Sequence, residues 1–108
     1  MKKTSPSTKN IKAITNKQLD IIRLANWKIA GARKWGKVCE SCGSEEYIQG
    51  HHAFPYNSYK ILRYDVDNYV PLCRGCHSRL ERYKGFIVIY RVLAKRGIKW
   101  INKLMKKI

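Results

Sequence analysis

The chain has 108 residues and a formal net charge of +16, from 23 Lys and Arg against 7 Asp and Glu. That length fits one compact domain with appendages and excludes a multi-domain machine. No apolar run approaches the roughly 18 residues that span a bilayer, and the polar start Met1-Lys2-Lys3-Thr4 does not read as a secretory leader.

These features predict a cytoplasmic chain with no membrane partner, in which paired cysteines hold metal more often than each other. The charge is segregated: ten basic residues against Asp20 occupy 1–37, and ten against Glu81 occupy 78–108. The centre carries only Lys60, Arg63 and Arg74 against five acids. Basic flanks around a slightly acidic middle suit a polyanion and point to nucleic acid. Solubility is the competing reading, but the excess is beyond the magnitude of about 2 to 8 usual for a small soluble domain.

Residues 1–14 mix Ser5, Pro6, Ser7 and Thr8 with lysines and show no sustained period, as a flexible basic arm would. Thr15 and Gln18 form a T-x-x-Q capping box, so an N-terminal helix is expected over 15–36, ending between Gly31 and Gly36. Its apolar face is expected from Leu19, Ile21, Ile22, Ala25, Ile29 and Ala32. Trp27 and Trp35 read as packing residues on that helix rather than base-stacking platforms. From Lys37 to about Glu81 the signals are short. Tyr47-Ile48-Gln49 and Tyr69-Val70-Pro71-Leu72 suggest a small strand pair, and a helix is expected to begin near His77 and carry Arg79, Leu80 and Glu81. The run Phe86-Ile87-Val88-Ile89-Tyr90 fits helix or strand by periodicity and is read as helix. After Gly97, Ile98, Ile101, Leu104, Met105 and Ile108 line one face of a basic terminal helix, expected to pack on the domain rather than on a membrane.

Cys39-Glu40-Ser41-Cys42-Gly43 and Cys73-Arg74-Gly75-Cys76 are two C-x2-C pairs. Each can present two sulfurs from a tight knuckle, and four thiolates make the closed tetrahedral set of a structural Zn2+ site. Gly43 and Gly75 suit turns that need positive φ. Disulfides or separate buried thiols are the alternatives. With four thiols sufficient for zinc, His51, His52 and His77 are left over. Adjacent His51 and His52 point to opposite sides of an extended strand, so one can face a metal and the other a water if the strand ends there. His77 follows a cysteine of the second knuckle, a rigid placement for a ligand.

The string His51-His52-Ala53-Phe54-Pro55, followed by Asp65-Val66-Asp67-Asn68-Tyr69-Val70-Pro71-Leu72-Cys73-Arg74-Gly75-Cys76-His77, resembles the HNH endonucleases, in the two-knuckle form common among phage and mobile-element members. The resemblance covers roughly 37–82. It implies an α+β fold with a small ββα-metal core and a structural zinc site at 37–82, between the arm and helix (1–14, 15–36) and a basic C-terminal helical segment (83–108). It further implies that His52 is the general base, that His51 and His77 bind a catalytic divalent metal, and that the catalytic-site Asn68 ties the loop between the strands and orients the base. A neutral imidazole suits the base role. The reaction implied is phosphodiester hydrolysis in DNA, leaving a 5′-phosphate and a 3′-hydroxyl.

Many relatives carry Asp at the position of His51. Two imidazoles make a softer site, which places Mn2+, Ni2+ or Co2+ beside Mg2+ as the catalytic metal. Glu81, four residues after His77, is either a third ligand or a surface ion-pair partner of Arg82 or Lys84. Phosphate contacts are expected from Lys2, Lys3, Lys9 and Lys12 in the arm and from Lys99, Lys103, Lys106 and Lys107 in the last helix. A monomer would nick, whereas double-strand cutting would need a homodimer or two visits. The alternative to a nuclease is a non-catalytic zinc-stabilised nucleic-acid-binding module.

Overall fold

A computed structural model describes residues 14–81 and 87–108, with the side chains of 80–88 outside the description. The arm lysines Lys2, Lys3, Lys9 and Lys12 and the side chain of Glu81 therefore lie outside the described residues. The order is helix α1 (Asn16–Trp35), strand β1 (Ile48–His52), two 3-10 turns (Lys60–Leu62 and Val66–Asn68), strand β2 (Tyr69–Cys73), and helices α2 (Arg74–Glu81), α3 (Ile87–Arg96) and α4 (Ile98–Met105). This is a small α+β fold with one two-stranded antiparallel sheet. No helix among the described residues is long and apolar enough to cross a membrane.

The capping box starts α1 as expected. The Gln18 N–H donates to Thr15 Oγ1 at 3.1 Å, and the Thr15 N–H donates to the Gln18 side chain at 2.9 Å. Its buried face, however, is not the isoleucine stripe: Ile21, Ile22 and Ile29 are 59%, 48% and 55% exposed, while Trp27 and Gly31 are buried. The reason lies in what α1 meets. The Tyr69 ring fits between α1 and β1, and a Cβ on Gly31 or Gly50 would stand 2.2 or 2.3 Å from that ring. Two glycines thus let the helix lie on the sheet along the Trp27–Gly31 line, and the apolar period alone could not reveal that.

In the sheet, His51 pairs with Val70 and His52 with Tyr69. The first knuckle docks beside β2, where the Glu40 N–H donates to Pro71 O at 2.9 Å. Helix α2 begins at Arg74, three residues before the expected His77, so Gly75 lies in its first turn and needs no positive φ. Of the two knuckle glycines, Gly43 uses it, at φ 82°. The ambiguous apolar run is helical over 87–90, the part described.

The core does not stop at the boundaries drawn from the motifs. Leu62, Val70 and Leu72 share one cluster with Cys39 and Cys76 of the knuckles, Ile89 and Val92 of α3, and Trp100 and Leu104 of α4. Helix α4 is turned from its expected pose: Ile98, Met105 and Ile108 are mostly exposed, and Trp100 is buried in their place. The Trp100 indole reaches the Asp67 carbonyl at 2.6 Å, and that hydrogen bond sets the rotation of the helix.

Candidate metal centre and histidine site

The ligand atoms of Cys39, Cys42, Cys73 and Cys76 lie within 4.8 Å of one another. The first knuckle closes through Cys39 N–H to Ser44 O at 2.8 Å and Gly43 N–H to Cys39 O at 2.9 Å. The second pair straddles the junction of β2 and α2. Four thiols converging from two chain segments fit the donor set of a zinc ion. Burial opposes ionisation of Cys39, but N–H groups from Cys73, Cys42 and Ser41 outweigh it and lower that thiol to about 6. The Ser44 N–H lowers Cys42, yet the neighbouring sulfurs prevail and push it up to about 11. Such a split reflects like charges crowded at one place, and a divalent cation at their centre would reverse the repulsion. The Arg79 guanidinium adds a contact of 3.3 Å to Cys76 Sγ.

His51 and His52 leave β1 on opposite sides, and the strand ends at His52. His51 meets His77 of α2, ring centroids 4.8 Å apart at 70°. His52 turns toward α1. Its ring stacks on Trp27 with centroids 3.9 Å apart and planes within 10°, and Tyr56 meets it edge-on at 5.3 Å. His52 Nε2 lies 2.9 Å from the Arg63 carbonyl. A carbonyl only accepts, so Nε2 carries the proton and the lone pair of the neutral ring is on Nδ1. Burial lowers the pKa of His52; the nearby charges of Lys28 and Arg63 push the same way, against the Arg63 carbonyl and Asp20. The ring is therefore neutral near pH 7, the state in which it can accept a proton.

Asn68 is fully buried, and its side chain makes three hydrogen bonds to the loop between the strands. Its Oδ1 accepts from Phe54 N–H at 2.7 Å, and its Nδ2 donates to Phe54 O at 3.1 Å and Leu62 O at 3.0 Å. None of these three bonds goes to His52. By holding Leu62 it fixes the neighbouring Arg63, whose carbonyl holds the imidazole.

The turn before Asn68 is itself pinned by all three tryptophans of the chain. Trp27, Trp35 and Trp100 donate their indole N–H groups to the successive carbonyls of Asp65, Val66 and Asp67, at 2.8, 2.8 and 2.6 Å. The acids of this turn are paired with the flanks: Asp67 with Lys34 and with Lys103 at 2.8 Å, and Asp65 with Lys107. Two of the four C-terminal lysines expected to grip phosphate, Lys103 and Lys107, thus also brace the turn. Lys99 and Lys106 are exposed. Sequence reasoning missed Asp20, Lys28, Tyr56, Arg63 and Trp27 as neighbours of His52; no spacing marks them, since they come from α1 and from a loop of irregular shape.

Residues 39–82 match the family model described as HNH endonuclease. No curated protein and no solved structure matches the chain. The HNH match spans both knuckles, the three histidines, Asn68 and Glu81, while α1, α3 and α4 lie outside it.

Proposed function

We propose that the protein is a metal-dependent DNA endonuclease of the HNH type. The observation that carries this is the meeting of the His51 and His77 rings at 4.8 Å, beside a neutral His52 held by a loop carbonyl. His51 and His77 would hold a divalent cation, with Mn2+, Ni2+ and Co2+ suited to imidazole and Mg2+ less so. Such a cation supplies charge to the scissile phosphate and to its leaving oxygen. His52 takes a proton from a water through Nδ1 as that water attacks phosphorus. The bond from phosphorus to O3′ breaks and O3′ gains a proton, leaving a 5′-phosphate and a 3′-hydroxyl. The four cysteines hold a structural Zn2+ that ties the first knuckle to the β2–α2 junction. Lys99, Lys106 and the partly engaged Lys103 and Lys107 contact DNA phosphates, which position the duplex without reading its sequence.

The test is nicking of supercoiled plasmid with each metal in turn. Wild-type protein is expected to cleave with Mn2+, and His52→Ala to bind DNA and zinc but not cleave. His51→Ala and His77→Ala should raise the metal concentration needed. Near wild-type turnover by His52→Ala under saturating metal would remove the base assignment, and absence of cleavage with every metal would leave the non-catalytic binding module.

A further inference from the structure

Helix α1 lies outside the HNH match, yet its Trp27 stacks on the His52 ring more closely than Tyr56 does. Trp27 covers one face of the imidazole and is itself held on both sides, by its N–H bond to Asp65 O and by the edge of Tyr69 at 5.0 Å. Rotation of the His52 ring about its Cβ–Cγ bond would drive its edge into the indole. The stack therefore selects the one ring plane in which Nε2 meets the Arg63 carbonyl and Nδ1 stays available.

A second contact from the same helix acts on the loop. Asp20, the one acid among the first 37 residues, accepts hydrogen bonds from both Tyr56 and Tyr64 through its two carboxylate oxygens. These tyrosines bracket the loop that holds Arg63. Arg63 is further fixed by its Nε, 2.9 Å from Tyr56 O, and by its guanidinium 4.0 Å above the Tyr56 ring. Tyr56 in turn touches the edge of His52. One carboxylate thus restrains both the ring beside the base and the segment that carries its carbonyl partner.

We propose that α1 is a positioning element of the cleavage site, with Trp27 fixing the plane of the His52 ring and Asp20 fixing the loop whose Arg63 carbonyl orients it. This rests on His52 acting as the base. Neither residue touches substrate; both act through His52.

The test compares full-length Trp27→Leu, Trp27→Phe, Asp20→Ala and Asp20→Asn with wild type and His52→Ala, after zinc content and urea unfolding have shown each to be folded. Trp27→Leu should slow single-turnover nicking at saturating DNA and Mn2+ by about 100-fold, the scale of a misplacement near 1 Å, with DNA affinity unchanged. It should also abolish the upfield ring-current shift of the His52 ring protons in NMR spectra. Trp27→Phe keeps a flat ring and should recover most of the rate. Asp20→Ala should slow nicking on the order of tenfold, and Asp20→Asn, whose amide oxygen accepts from one tyrosine and whose amide N–H can donate to the other hydroxyl, should restore most of it. Where Trp27→Leu does not fold, the Asp20 pair and the position of the wild-type His52 ring signals decide. Wild-type rates in Trp27→Leu and Asp20→Ala, together with an unshifted His52 ring in wild type, would overturn the inference while the base assignment stood. A wild-type rate in His52→Ala would remove the base assignment, and the inference with it.

Discussion

Arg96 offers the sharpest test of how the flanking helices hold the centre. Its side chain is 3% exposed and forms a two-pronged pair with Glu40, Nε to Oε2 at 2.9 Å and Nη2 to Oε1. The same guanidinium donates to Asp67 O at 3.1 Å and to Tyr69 O at 2.6 Å, and stacks 3.5 Å from the Trp35 ring centroid. It therefore joins the first knuckle, the pinned turn, β2 and α1 through one residue of α3. Arg96→Met keeps most of the volume but leaves the Glu40 carboxylate, 12% exposed, without its cation and Tyr69 O without that donor. Stranding one member of a buried pair costs about 3–5 kcal/mol. The lost carbonyl bond (about 1–3 kcal/mol) and the lost stacking belong to the same cluster and do not add to that figure in full. With a urea m-value of roughly 1.5 kcal/mol/M, the zinc-loaded variant should unfold about 2–3 M earlier. The double variant Glu40→Gln with Arg96→Met should recover part of the loss, since no buried charge is left alone. An Arg96→Met midpoint within about 0.5 M of wild type, at an unchanged m-value, would refute the reasoning.

The zinc reading predicts that protein purified under reducing conditions holds one Zn2+ per chain, and that Cys39→Ser or Cys73→Ser abolishes cooperative unfolding, as circular dichroism against urea would show. Asp67 predicts an acid dependence. Burial alone would raise its carboxyl, but Lys103 and Lys34 prevail and hold it below its usual value. A folded pKa below the unfolded one of about 3.9 stabilises the protein above that pH, and the gain is lost as pH falls through the folded pKa. The stability gap between wild type and Asp67→Asn should therefore be full at pH 6 and shrink below about pH 4, a difference in which acid loss of zinc cancels. For the terminal lysines, neutralising Lys99 and Lys106 should flatten the salt dependence of DNA binding by up to about 0.9 per lost phosphate contact without changing stability. Neutralising Lys103 and Lys107 should also lower the urea midpoint, because these two brace Asp67 and Asp65.

Much of the chemistry was legible in the order of residues, because its signals are local. A C-x2-C turn brings two sulfurs together whatever surrounds it, a capping box needs four consecutive residues, and adjacent histidines on a strand must diverge. Both cysteine pairs, the start of α1, the strand pair and the doubled histidine could be read on that basis. What lay beyond reach depends on contacts between segments distant in sequence. The three isoleucines of α1 outnumber its two tryptophans, yet the helix buries Trp27 because Gly31 and Gly50 open a slot for Tyr69, and that slot exists only once helix and sheet have met. Trp27 and Trp35 read as packing residues from the sequence, but that they and Trp100 reach three successive carbonyls ahead of Asn68 is a property of assembled helices. Likewise Lys103 and Asp67 read as isolated charges along the chain, and only the packing of α4 over the turn turns them into a pair. Periodicity says which side chains can share a face; the hydrogen-bonding needs of buried backbone decide which face is used.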